Sequence, residues 1–496
     1  MKYILALDQG TSSSRAILFN QSAQVVGICQ KELKQYYPKS GWVEQDPMEI
    51  IHSQWQVVRD LISETGIDEK EIASMAITNQ RETTICWNKK NGKPVHNAIV
   101  WQDKRTVNYC RSIASEVNAS IIKERTGLLA DSYFSASNIN WILENVYEAK
   151  QLAQKGDLLF GTVDTWLLWN ATMGEVHATD ISNASRTLLF NIHSLEWDEE
   201  LLRIFNIPAS VLPEVKPTSG CFGIVKDQGL LKHQKSVHSM VGDQQAALFG
   251  QRCFDNGMAK NTYGTGCFIL MNTGTKPMYS KQGLLTTIAW QTHDEIMYAL
   301  EGSVFVAGAA VKWLRDSLDI ISCADETEDM ASAISDDHGV YFVPAMSGLG
   351  APYWDMSACG GVLGISHETD KRVIVRAALE AMAYQTRDVV DAMVKDAKMP
   401  LVQLHVDGGA SKNNFLMQFQ ADIMNCSVHR AHNIEATALG AAFFAGLASG
   451  FWTKQDLKNL QLPEDNFNSR MDTTKRSFLY SGWKKAVKRV SQWNDD

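Results

Sequence analysis

The chain has 496 residues, 45% hydrophobic and 21% charged, the profile of a globular protein with mass for two large domains. Its 47 Lys and Arg against 56 Asp and Glu leave a formal charge of −9, which argues against general binding to nucleic acid or anionic membranes but allows a local phosphate site. The nine cysteines hold no C-x-x-C pair, so neither a zinc knuckle nor a redox pair is suggested and free thiols in a reducing cytosol are expected.

Residues 4–19 read as a β-hairpin, two short apolar runs around a polar tip. The tip carries Asp8, Gly10, the hydroxyls Thr11, Ser12, Ser13 and Ser14, and Arg15. A glycine turn with successive N–H groups makes an anion-binding concavity. A carboxylate beside it makes sense if a divalent cation lies between, so the tip predicts a Mg-polyphosphate site with Asp8 holding Mg2+ directly or through water. The first apolar run ends at Asp8, too short for a signal peptide.

A third strand follows at 25–28, and Asp46 with Pro47 predicts the start of a helix running to about Ser63. A buried strand over 74–78 leads into the polar loop 79–84, which holds Arg81 and Glu82. Residues 100–103 read as another strand end, Asp164 as an N-cap, and 179–186 as a polar loop. A strand over 236–241 delivers Asp243 to a strand end and to the N-terminus of a helix beginning near Ala246. That helix is expected to favour the carboxylate form and depress the Asp243 pKa.

The chain then restarts. Residues 258–271 form a second strand, Gly-Thr-Gly tip and strand, with Thr265 echoing Thr11, which places a domain boundary near 250 and divides the chain into 1–250 and 251–496. A helix spans 306–314 over Gly308, and a long one 371–395. The strand 404–407 runs into Gly408-Gly409, a junction that suits close approach to a nucleoside. Residues 438–452 are apolar but broken by glycines, below a membrane span, and read as a small-residue helix packed in a core. The tail from Lys475 reads as a docked terminal helix with a basic solvated face, in preference to a membrane-surface helix.

No G-x-x-x-x-G-K-[ST] loop, G-x-G-x-x-G fingerprint or protein-kinase signature occurs, so any phosphate site is built from the two hairpins. Asp243 is the spare carboxylate that phosphoryl transfer needs to orient an acceptor hydroxyl and take its proton. Arg81 and Glu82 set donors beside acceptors, which suits a polyol. Tyr133 and Gln244 add hydroxyl and amide contacts, and Trp101 and Phe268 can wall the carbon skeleton.

The motifs at 41–44, 78–84, 161–166, 242–250 and 261–266 together resemble the FGGY family of carbohydrate kinases, and within it the members that phosphorylate glycerol. The resemblance runs nearly end to end. It implies an α/β chain of two actin-like (ribonuclease H-like) domains, each a mixed sheet with helices on both faces, around a central cleft. The first half would bind glycerol and the second the nucleotide. It implies transfer of phosphate from ATP to glycerol, giving sn-glycerol 3-phosphate, with Asp243 as base. Glycerol contacts are implied at Arg81, Glu82, Tyr133, Asp243 and Gln244, and ATP contacts at Thr11, Ser12, Ser13, Arg15, Thr265, Gly308, Gly409 and Asn413. Lys312 stands where such sites usually hold Gln and is expected to steer the nucleotide by its charge. A cytoplasmic homodimer or homotetramer, with no nucleic acid partner and no membrane insertion, is the implied setting.

Overall fold

The computed structural model describes residues 2–334, 338–432 and 435–493. β1 (Tyr3–Gln9) and β2 (Ser13–Asn20) form the expected hairpin, with Leu5 opposite Leu18 and Asp8 opposite Arg15. Gly10 N–H closes the tip on Ser13 O at 2.9 Å. Both faces of the hairpin are covered: Ile4, Ala6, Ile17 and Phe19 on one side and Leu5, Leu7, Ala16 and Leu18 on the other are no more than 1% exposed. A run apolar on both faces is what a sheet between helical layers requires.

β3 (Val25–Glu32), β4 (Ile72–Asn79), β5 (Ser219–Ile224) and β6 (Ser236–Gly242) complete a six-stranded sheet in the order β5-β6-β4-β1-β2-β3. β1, β4 and β6 are parallel, and their last residues Gln9, Asn79 and Gly242 stand in register at one edge. Helix α1 (Pro47–Thr65) starts at the predicted cap, where Asp46 accepts the Met48 N–H at 2.8 Å, and packs Trp55, Val58 and Leu61 against Leu5 and Leu7.

The second sheet has seven strands: β7 (Met258–Tyr263), β8 (Cys267–Gly274), β9 (Leu285–Gln291), β10 (Ile296–Val304), β11 (Gln403–Asp407), β12 (Val428–Ala431) and β13 (Glu464–Phe467), ordered β9-β10-β8-β7-β11-β12-β13. It repeats the first sheet's plan. The antiparallel hairpin β7–β8 is flanked by the parallel strands β11 and β12, with an antiparallel strand beyond, as β1–β2 is flanked by β4, β6 and β5.

Helices α2 (Asp243–Gly250), α3 (Gly308–Asp316), α4 (Lys371–Ala397), α5 (Ala436–Ser449) and α6 (Thr473–Val490) matter for the site. α5 is the small-residue helix. It comes from the second half of the chain but packs on β1, β4 and β6 of the first sheet and against α2. The approach is so close that a Cβ on Gly440 would stand 1.9 Å from Ala246 O, and one on Gly250 2.0 Å from Ala436 O. Phe249 and Phe444 stack beside this crossing at 3.9 Å between ring centroids. α2 begins at its residue Asp243, so this crossing also fixes where Asp243 sits.

α6 is a docked helix, with Trp483, Val487 and Val490 buried and Lys484, Lys485, Lys488 and Arg489 exposed. Buried Asp388 of α4 holds it by accepting from Trp483 Nε1 at 2.7 Å. Among the described residues no helix is long and apolar enough to cross a membrane.

Some local expectations need correction. Asp164 is not an N-cap: its helix, Val163–Ala171, is preceded by Thr162, and Asp164 is buried in the first turn, accepting from Thr162 and Thr179 hydroxyls at 2.5 and 2.7 Å. Residues 179–186 are not a polar loop throughout. They form the end of a strand, Ala178–Asp180, and a short helix, Ile181–Ala184, all buried. The polar groups there satisfy one another, with Asp180 capping the helix through the Ser182 and Asn183 N–H groups, so polarity did not mean exposure. Residues 100–103 follow a strand of only Ala98–Ile99 and are a turn.

The Gly440 contact gives a test whose sign is informative. In an exposed helix, Gly→Ala stabilises by roughly 0.5–1 kcal/mol. Gly440→Ala should instead destabilise by about 1–3 kcal/mol through overpacking against Ala246 O, read as a lower denaturant midpoint at unchanged slope.

Candidate active site

The carboxyl ends of β1, β4 and β6 bring Asp8, the Arg81–Glu82 turn and Asp243 to one edge of the first sheet, where parallel α/β sheets place ligands. Arg81 is 3% exposed, and its guanidinium is gripped from the other sheet: Nη1 and Nη2 donate to Glu301 Oε2 and Oε1 of β10 at 2.7 and 3.0 Å. Its Nε faces Asp243 Oδ1 at 3.3 Å. Glu82 is also buried. Its carboxylate accepts from Arg186 Nε at 2.7 Å, and Arg186 Nη2 reaches Glu301 Oε1 at 3.1 Å. The turn holds Glu82 at φ 62°, left-handed backbone that a non-glycine residue adopts only when its surroundings enforce it.

Arg81 and Glu82 therefore do not form the bare donor–acceptor pair that the sequence predicts. They belong to a buried group with Arg186 and Glu301. Burial alone would push the Glu301 carboxyl up, but the Arg186 and Arg81 guanidiniums outweigh it and hold it at about 2. For Glu82 burial wins over Arg81 and Arg186, and its pKa is raised.

Asp243 is corrected in sign. Its pKa is raised, because desolvation outweighs the lowering by Arg81, by Lys260 and by hydrogen bonds from Gln244. The helix-end effect read from the sequence is local and modest, whereas burial is set by the whole fold. The side chain is 28% exposed, and Oδ1 also accepts the Gln244 backbone N–H at 2.7 Å.

An aromatic wall stands beside this group. Trp101 meets Tyr133 edge-on at 5.6 Å and Phe268 of β8 at 6.2 Å between ring centroids. Trp101 Nε1 donates to Thr11 Oγ1 at 2.9 Å, so the wall is tied to the first hairpin tip. Gln244 has its side-chain oxygen on Lys260 Nζ.

At the first tip Thr11 is half-buried, Ser12 exposed and Ser13 buried. Asp8 is 7% exposed, with Arg15 Nη1 3.8 Å away. Burial raises its pKa to about 7, and Arg15 only partly offsets this. Arg15 bonds more closely to Glu435, at 3.1 Å. At the second tip Thr265 is exposed, and its carbonyl accepts Ala307 N–H at 2.8 Å and Ala309 N–H at 3.1 Å. Gly308 N–H bonds Gly264 O at 3.0 Å, and a Cβ on Gly308 would come within 2.7 Å of that oxygen. Lys312 lies exposed on α3.

Gly408, at φ 88°, is required by the Tyr263 carbonyl, which a Cβ would meet at 2.4 Å; a Cβ on Gly409 would meet nothing within 4 Å. Asn413 caps the helix Asn414–Met424 by accepting Leu416 N–H at 2.9 Å, and donates to Thr327 at 3.1 Å. Sequence reasoning missed Arg186, Lys260, Glu301 and Glu435. The one available signal was a charged residue, Lys260 or Glu301, inside an otherwise apolar strand.

The N-terminal domain of the FGGY family of carbohydrate kinases matches residues 3–250, and its C-terminal domain matches 259–449. The chain is 55% identical over 493 residues to a glycerol kinase of Treponema denticola, covering 99% of each chain. It is 53% identical over 494 residues to one of Natranaerobius thermophilus, covering 100% of this chain and 99% of that one. The crystal structure of Plasmodium falciparum glycerol kinase with ADP superposes with a TM-score of 0.93 at 39% identity, covering 99% and 98% of the two chains. A xylulose kinase of Lactobacillus acidophilus shares the fold, with a TM-score of 0.88 at 21% identity over 99% of this chain and 98% of that one.

The ion cluster predicts an acid-sensitive fold. The Glu301 pKa is depressed on folding, so its stabilisation is complete above the ordinary glutamate pKa, about 4.3, and is lost as pH falls towards 2. Glu301→Gln, which leaves two buried guanidiniums short of a countercharge, should cost about 3–5 kcal/mol near neutral pH and remove this part of the acid dependence, both measurable by denaturant titration across pH.

Proposed function

The chain belongs to the FGGY family of carbohydrate kinases, and on that premise we propose that its cleft transfers the γ-phosphoryl group of ATP to glycerol, giving sn-glycerol 3-phosphate and ADP. The observation that carries this reading is the meeting of Arg81, Glu82 and Asp243 with the wall of Trp101, Tyr133 and Phe268, itself tied to the hairpin tip at Thr11. A three-carbon polyol needs hydrogen-bonding groups at one side and an apolar surface at the other, and this site offers both.

Asp243 acts as base. Its Oδ1 is steadied by Arg81 Nε and the Gln244 N–H, which leaves the carboxylate oriented to take the acceptor's proton. Arg81, Glu82, Tyr133 and Gln244 orient glycerol, and Trp101 and Phe268 hold its carbons. The tips with Thr11, Ser12, Ser13 and Thr265 take the phosphates. Arg15, Gly308, Gly409 and Asn413 complete the nucleotide side, with Lys312 steering by charge. Excluding water matters because water competes as acceptor, and a cleft between halves 1–250 and 251–496 can close to exclude it.

Asp8 fits a Mg2+ site of the kind that relies on substrate phosphates. Among the described residues no group of three or more His, Cys, Asp or Glu forms a protein cage, and the buried Asp8 carboxylate has only Arg15, 3.8 Å away and shared with Glu435, as countercharge. When bound there, Mg2+ would supply charge neutralisation at the phosphates. The nine free thiols support a reducing, cytoplasmic setting, and a homodimer or homotetramer is the assembly we propose.

A coupled ADP-release assay with glycerol is the direct test; clear preference for a pentulose would overturn the substrate. In that assay Asp243→Asn should lower kcat roughly 10²–10⁴-fold, with ATP binding nearly intact. Because the Asp243 pKa is raised and the base must be ionised, the acid limb of kcat/KM should lie above the ordinary aspartate range, about 4, and vanish in the variant. Normal turnover with a lowered Tm would reduce Asp243 to a structural residue.

A further inference from the structure

Lys260 is a buried cation to which neither the sequence nor the mechanism above gives a role. It sits on β7, opposite Leu270 and His405, and is 0% exposed. Its ammonium crosses from the second sheet to α2 of the first half, donating to Gln244 Oε1 and to Thr262 Oγ1, the latter at 3.0 Å. Asp407 and Asp243 are its principal countercharges.

An ammonium has three donors and no acceptor. The Gln244 atom that touches it must therefore be the oxygen, and this settles an amide orientation that geometry alone leaves open. The Gln244 Nε2 hydrogens then turn away from Lys260. The Gln244 backbone N–H donates to Asp243 Oδ1 at 2.7 Å, so the residue that carries this amide also braces the carboxylate.

We propose that Lys260 is a positioning residue for the acceptor: it locks Gln244 as a hydrogen-bond donor towards Asp243 and the polyol, and so couples the nucleotide half to acceptor orientation. A free glutamine would present oxygen or nitrogen at similar cost, and a polyol could settle in more than one register. Held by Lys260, the amide keeps its oxygen on the ammonium and turns its two N–H donors to the polyol, so it recognises a hydroxyl oxygen, and the hydroxyl proton is left to Asp243. Burial pushes the Lys260 ammonium down to about 8, so it is still mainly charged at neutral pH.

The inference rests on the glycerol reading. ADP release by the unmodified enzyme reports on that reading, and the ratio of variant to unmodified KM reports on Lys260. Lys260→Met should raise the KM for glycerol about tenfold while leaving the KM for ATP within about twofold. In a Gln244→Ala background the same substitution should add less than about threefold, because the two residues act as a unit. A rise confined to the ATP KM would make Lys260 a phosphate ligand, and fully multiplicative effects, or a lowered Tm alone, would remove its link to Gln244; each overturns the proposal. Gln244→Glu gives a route that spares Lys260. It keeps an oxygen on the ammonium but removes the amide donor, so a raised glycerol KM is expected and an unchanged one overturns the proposal.

Discussion

The Arg81–Glu301 pair is the constraint on which the rest of the site depends. It is bidentate, fully buried and joins residues 220 positions apart, from the loop after β4 and from β10. Removing charges from water costs several kcal/mol for each ion, and a buried pair returns little net stability over apolar packing of the same volume. What this pair supplies is position. With Nη1 and Nη2 committed to Glu301, the guanidinium plane is fixed, and Nε is left facing Asp243. Arg186 completes the arrangement by binding Glu301 and Glu82 together, which holds the left-handed turn at Glu82.

The second constraint is mechanical. α5 leaves the second half of the chain and lies across the first sheet, where Gly440 and Gly250 allow backbone-to-backbone approach with α2. α2 is therefore clamped from one side by α5 and reached from another by Lys260 on β7. Asp243 and Gln244, its first two residues, are placed by elements of both halves, although they belong to the first.

Much of this was legible in the sequence wherever the signal was local. The hairpin tips, the Asp46–Pro47 cap, the small-residue helix and Asp243 at a strand end all follow from neighbours in the chain. The failures share one cause. The segment 179–186 reads as a loop because its residues are polar, yet Asp180, Ser182 and Asn183 satisfy one another in the core and lead to Arg186, which is 0% exposed. Glu301 and Lys260 could be seen as charges within strands, but the partners that tie them to the other sheet, Arg81 and Gln244, lie more than a dozen residues away and on different elements. The sign of the Asp243 shift failed for the same reason: a helix end is visible in sequence, whereas desolvation is a property of the folded chain.

That reversal suits the role of base proposed for Asp243. An alcohol holds its proton far more tightly than an ordinary carboxylate does, and each pKa unit of mismatch is about 1.4 kcal/mol against the transfer. A base fully stabilised by a helix end and two cations would widen the mismatch. Desolvation narrows it, while Arg81, Lys260 and Gln244 oppose desolvation enough to limit the rise. The loose transition state of phosphoryl transfer calls for the proton late, so positioning dominates and the base needs only moderate strength at that moment. The same burial acts on Asp8, where less countercharge is at hand and the pKa climbs to about 7. Burial raises both carboxylates, but the surroundings differ: Asp243 has two cations and an amide, and Asp8 has one arginine shared with Glu435. Under the proposed function, the better-compensated carboxylate is the one suited to exchange a proton, and the under-compensated one to accept a cation.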